Sequence, residues 1–273
     1  MTVETSVLAG GEPGKPYIDT SKMTSFYSLF YNRVNLEIID NIDTSNGTIF
    51  ERMFSGCYVL SSIPQLDTSK GTNFANMFWG CSLIESIPQL DTSNGTNFAS
   101  MFYSCAILPS IPQLDTSKGT NFNSMFEGCQ ELTSIPQLDT SNGTNFNSMF
   151  YGCSKLTSIP QLDISKGTNF KSMFTTCSAL ETVSLTKATK DLSSNTFYNC
   201  PALKNITIGE GWAVDIYLHY SNNLTVESLH GMIENLADLT GLTAKTFQVG
   251  ATNLAKIDEA HMTMLQNKNW NYL

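Results

Sequence analysis

The chain repeats itself every 24 residues. Asp19, Asp43, Asp67, Asp91, Asp115, Asp139 and Asp163 stand one step apart. Cys57, Cys81, Cys105, Cys129, Cys153 and Cys177 keep the same step, and Cys200 follows after 23. The clearest unit runs from Asp139 to Leu162, DTSNGTNFNSMFYGCSKLTSIPQL. Seven units without an insertion or deletion cover Asp19 to about Thr186, and an eighth, degenerate unit ends near Ile208. Such regularity means a stack in which each unit touches mainly its neighbours. One 24-residue unit has too small a core to offset its own chain entropy, so contacts between units must supply the difference.

Within the unit the apolar spacing changes period. Phe146, Met149, Phe150 and Cys153 fall at i, i+3, i+4 and i+7, which predicts a short helix with one apolar face. Leu156 to Leu162 predicts a short strand whose pairing stops near Ile159, because Pro160 cannot donate to a ladder. Gly167 suits a tight bend needing positive φ. Turn, helix and strand together predict an α/β solenoid of the leucine-rich-repeat kind, with one short parallel strand and one short helix per 24-residue repeat. It would span residues 19–208, after an N-terminal tail or linker at 1–18. In the first unit Leu29 replaces Met and Arg33 replaces Cys, a change that fits a terminal rung facing water and equally fits drift.

After Ile208 the pattern breaks, and residues 209–273 read as an α+β capping region. Leu224–Leu239 carries Leu229, Met232, Ile233 and Leu236 at helical spacing, with Thr225 as N-cap and Gly241 as a stop. Thr243–Val249 reads as a strand, Asp258–Asn267 as a second helix and Trp270–Leu273 as a final strand or tail.

The run DTSxGTNFxxMFxxCxxLxxIPxL resembles the BspA-type leucine-rich repeats of bacterial surface proteins. More narrowly it resembles the short bacterial surface protein repeat with a TSN-x-TN-x-xx-MF-xx-C core, a domain of unknown function or lipoprotein repeat. The likeness covers about 190 residues and implies a right-handed stack. The sequence departs from the usual form in having Gly71, Gly95 and Gly119 where many such repeats carry valine, and Phe where they carry Met. NLADLTG-x-TAKT…G-x-TNLAK resembles a segment that closes such arrays in bacterial and phage-borne proteins. The resemblance implies adhesion or protein binding at a cell surface and brings no catalytic residues.

Composition narrows the partners. A net charge of −9 with pI near 4.7 leaves no basic stripe for nucleic acid, and no apolar run approaches a membrane span. Met1–Gly14 lacks the basic start and apolar stretch of a secretory signal, so export would rest on a signal trimmed from a longer precursor.

Seven cysteines, one per unit from the second onward, read as a buried column of small hydrophobes. Zinc would need paired ligand spacings that are absent, and an odd count excludes complete pairing. The Asp column reads first as turn-fixing carboxylates. Asp67, Asp91, Asp115 and Asp139 are also weak candidates for a calcium ladder, the one cofactor the sequence suggests. Lys22, Asn46, Lys70, Asn94, Lys118, Asn142 and Lys166 alternate strictly. That alternation either spreads like charges or records duplication of a 48-residue pair of units.

Binding candidates lie off the core stripe. Trp79, Tyr103 and Tyr151 would form an aromatic ridge, and Ser86, Ser110, Ser134 and Ser158 a polar column on the exposed strand face. The Gln65, Gln89, Gln113, Gln137 and Gln161 column reads as a stabilising amide ladder. His219, His230 and His261 all lie in the C-terminal block as surface or cap residues. Without HExxH, GxSxG or a phosphate loop, the chain reads as a non-enzyme. The expected role is a bacterial cell-surface, adhesin-like binder of protein or glycan on host or neighbouring cells. A phage virion structural or receptor-binding component, in the particle or cytoplasm, and a calcium-stabilised scaffold are the alternatives.

Overall fold

The computed structural model describes residues 19–39, 42–186, 188–192 and 195–273; the 1–18 tail lies outside the described residues. The repeats stack in register. Two ladders of phenylalanine rings run through the core, one from Phe26 to Phe170 and one from Phe30 to Phe197. Successive centroids lie 5.5–5.8 Å apart in the first ladder and 5.2–5.7 Å apart in the second. Every pair is parallel to within 15°, and Met, Cys and Leu columns fill the space beside them.

The expected helix is absent from the repeats. Phe146, Met149, Phe150 and Cys153 do share one buried face, but the backbone under them is a run of β-turns. Met149 N–H donates to Phe146, Tyr151 to Ser148 and Cys153 to Phe150, each three residues back. Ser148 (φ 53°) and Gly152 (φ 72°) are left-handed, which places them at the third position of type II turns. The remaining N–H groups reach across the stack. Phe146, Ser148, Phe150 and Gly152 donate to carbonyls of Asn169, Lys171, Met173 and Thr175 in the next unit at 2.8–2.9 Å. An eight-residue helix would satisfy few of its own donors. The turns give alternate donors to the neighbouring rung and keep the same apolar face.

The expected strand is also missing from most repeats, and proline is the reason. Before Pro88 one backbone hydrogen bond reaches the preceding unit, Glu85 N–H to Ser61, and before Pro136 two do, Glu131 N–H to Ala106 and Thr133 N–H to Pro109. The segment ETVSL after Leu180 contains no proline, and a true pair forms there: β1 (Thr182–Leu185) runs parallel to β2 (Asn205–Ile208). Leu185 lies beside Leu162, so the one-residue contraction falls within the seventh unit. Where proline removes a donor, glutamine supplies one. Gln65, Gln89, Gln113 and Gln137 each donate Nε2 to the backbone carbonyl of the glutamine one unit on, at 2.6–2.9 Å. The column bonds to backbone, not amide to amide.

Gly167 has no positive φ, contrary to expectation. A Cβ there would lie 2.2 Å from Cζ of Phe170, and the same holds down the column at Gly71 and Gly119. Glycine is required because the Phe ring of the same unit folds back over it.

The C-terminal block combines helices with a second parallel sheet. β3 (Ile216–Tyr217), β4 (Lys245–Gln248) and β5 (Trp270–Tyr272) form a parallel sheet in that order. α1 (Val226–Asn235) joins β3 to β4, and α2 (Ala251–Leu254) with α3 (Glu259–Asn267) joins β4 to β5. Thr225 caps α1 as expected, while the helix ends at Asn235, short of Gly241. α1 buries Leu229, Met232 and Ile233 and closes the edge of β2 with side chains. Ser228 Oγ accepts from Ile206 N–H at 2.8 Å and donates to its carbonyl at 3.2 Å. Asn235 Nδ2 donates to Ile208 O. A helix thus supplies the hydrogen bonds that another rung would have made.

Two changes test this architecture. Phe150→Ala removes a ring stacked on both sides and costs about 3–5 kcal/mol, read as a lowered midpoint in urea. Ser228→Ala leaves the Ile206 N–H and C=O unpaired and costs about 1–3 kcal/mol, with increased self-association as the edge of β2 opens.

Candidate binding surface

The columns proposed from sequence divide into those that hold the stack and those that face solvent. Each cysteine is buried and free. Its thiol donates to the carbonyl of the second Phe in the preceding unit, as from Cys153 to Phe126 at 3.1 Å and from Cys57 to Phe30 at 3.1 Å. Among the described residues no unit precedes the first, and there Arg33 stands exposed. Burial pushes the thiols up from their ordinary 9.0, Cys57 to about 11 and Cys129 and Cys200 to about 12.

The Asp column is spent on turns. Asp67 Oδ1 accepts from the Ser69 N–H at 3.0 Å and from its hydroxyl at 2.7 Å, and Asp115 does the same with Ser117. The Ser69 and Ser117 hydroxyls, and then their N–H groups, hold these two carboxyls below the usual range. Asp91 bonds identically to Ser93, and Asp139 takes the Ser141 N–H. A calcium ion would have to compete for these oxygens. Among the described residues the column forms no close group of three acidic ligands.

The Lys/Asn alternation has a direct reading. Lys70, Lys118 and Lys166 donate Nζ to Asn46, Asn94 and Asn142 Oδ1 one unit back at 2.7–2.9 Å. Asn94 and Asn142 in turn donate to Ser69 and Ser117 carbonyls. Each type supplies what the other needs, and Lys pairs with Asn, not with Asp.

The aromatic ridge is only partly formed. Trp79 and Tyr103 are half-buried and stacked, with centroids 5.4 Å apart and planes 12° apart. Tyr151 is exposed and stacks on no ring, since Glu127 separates it from Tyr103. Ser86, Ser110, Ser134 and Ser158 are all exposed and form a plain polar column.

Sequence reading missed further exposed apolar side chains on the second to fourth units. Tyr58, Leu83 and Ile107 are exposed at 41%, 46% and 38%. The Tyr58 ring lies over Gly80, where a Cβ would meet it at 3.2 Å. Leu83 and Ile107 occupy the second position after cysteine, filled in the next two units by Glu131 and Lys155, which form an ion pair. That switch from aliphatic to charged at one repeat position was readable in the sequence. A second feature, a groove of 760 Å³, follows the Gln and Asp columns past Gln113, Asp115, Gln137, Asp139, Gln161 and Asp163.

The family described as Mycoplasma protein of unknown function, DUF285, matches residues 16–111 and 106–208. The chain belongs to the DUF285 family. The match takes in the whole ladder of turns and leaves the C-terminal block outside it. This DUF285 chain also resembles the crystal structure of a leucine-rich repeat protein from Bacteroides ovatus, at 17% identity and a TM-score of 0.34. The alignment covers 91% of this chain and 82% of the other. No curated protein matches the chain. Among the described residues no helix is long and apolar enough to cross a membrane.

The cysteine column sets an alkaline limit. The folded thiols ionise above 9.0, so between about pH 9 and 12 the unfolded chain binds fewer protons than the folded one and stability falls as pH rises. Thermal midpoints should drop above pH 9, and a thiol reagent at pH 8 should label none of the seven cysteines until the chain is denatured.

Proposed function

We propose that the chain is a non-enzymatic binding protein, a rigid ladder that holds an apolar corner against a protein partner at a bacterial cell surface. The observation that carries this reading is the stacked Trp79–Tyr103 pair, on units that also expose Leu83 and Ile107 and follow the unit that exposes Tyr58. Exposed apolar side chains gathered on neighbouring rungs suit an interaction site, and Trp and Tyr are the preferred anchors of protein interfaces. Stacked along the ladder, each ring gives one face to the other, which suits insertion into a protein surface better than a sugar platform. The cell-surface setting is supported by the BspA-type resemblance of the repeat; a phage particle would use the same corner.

A glycan reading rests on a separate observation, the polar groove along the Gln and Asp columns, whose chemistry recurs at every rung as an extended polymer requires.

The test uses labelled full-length chain on intact bacterial and host cells, with and without protease or glycosidase treatment. Protease should abolish binding, and the Trp79→Ala/Tyr103→Ala pair should weaken it at least ~30-fold, the scale of two interface anchors, with an unchanged thermal midpoint. Binding that survives protease and the double substitution but is lost with glycosidase would overturn the corner in favour of the groove.

A further inference from the structure

We propose that His230, Asp258 and His261 form a binding site for a divalent transition-metal ion of the zinc class, which clips α1 to α3. His230 is remote in sequence from Asp258 and His261, yet the fold brings a donor atom from each within 4.8 Å of the others. His230 projects from α1. Asp258 is the N-cap of α3, and His261 lies in the first turn of that helix. His230 Nε2 is 3.8 Å from Asp258 Oδ2, and His261 Nδ1 is 2.7 Å from Asp258 Oδ1. The two imidazoles lie face to face with centroids 3.6 Å apart.

The donor chemistry selects the ion. Two imidazoles and a carboxylate suit zinc and its neighbours, whereas calcium and magnesium want oxygen throughout. His230 Nε2 is buried without a hydrogen-bond partner, a cost that a metal would remove. No hydrogen bond to Nε2 fixes the orientation of the His230 ring. A tilt away from the stack converges its lone pair with that of His261 beside the carboxylate. The ion takes the Nδ1 lone pair of neutral His261 and the Asp258 carboxylate, so the single ring proton of His261 sits on Nε2. That nitrogen then faces Glu234 Oε1, 3.5 Å away, the carboxylate partner that orients a ligating imidazole.

The site is independent of the binding corner and is tested on the full chain by equilibrium dialysis with zinc and by cobalt(II) absorption. The expected result is one ion per chain, an N/O-type cobalt spectrum without a thiolate charge-transfer band, and a raised thermal midpoint. His230→Ala and His261→Ala should each abolish saturable binding. Asp258→Asn keeps an equally good N-cap and should weaken binding at least ~10-fold; His219→Ala should leave it intact. Folding of every variant is checked by circular dichroism in chelator. No stoichiometric binding by the unaltered chain, persistence of binding in the two histidine variants, or a thiolate band assigning the ion to cysteine would each overturn the proposal.

Discussion

Everything in this protein depends on backbone N–H groups being given to the neighbouring rung. In the run Phe146–Cys153, alternate donors cross to the next unit and the others close turns within their own. That division locks successive units at one hydrogen-bonded spacing, and the spacing lets phenylalanine rings stack at 5.2–5.8 Å along two columns. Stacking and hydrogen bonding support each other: a unit slipped in register would lose both. Cys thiols and Thr hydroxyls add to the same logic, since each donates to a carbonyl of an adjacent unit.

The irregularities follow from the same constraint. Proline deletes a donor, and the glutamine one residue later returns one from its side chain. Where proline disappears, after Leu180, ordinary parallel pairing takes over between β1 and β2. The stack then ends on α1, whose Ser228 meets both polar groups of Ile206. The last rung is therefore neither an open edge nor an apolar surface left to water.

Because the interior positions are committed, variation is confined to the corners. Units two to four carry Tyr58, Trp79, Leu83, Tyr103 and Ile107, while the fifth and sixth carry Glu127, Glu131 and Lys155 at matching places. The scaffold is uniform, and outward residues of this kind mark one rung from another. The His230–Asp258–His261 cluster belongs to the other half of the molecule, where nothing repeats and helices bring remote residues together.

The sequence alone determined the repeat, its register, the buried Phe, Met and Cys columns and the turn-fixing role of aspartate, because identical side chains at a fixed step can only line up. It also located α1 and α3, whose caps and periodicity are local signals. It misread the Phe146–Cys153 segment as helix, since i, i+3, i+4, i+7 burial is produced equally by a ladder of type II turns whose donors point to another unit. It misassigned Gly167 for the same reason: the ring that demands glycine is placed by stacking, not by the turn. Only the tertiary structure decided where hydrogen bonds go, which corner is apolar and which histidines meet, because each of these depends on groups a full rung or more away along the chain.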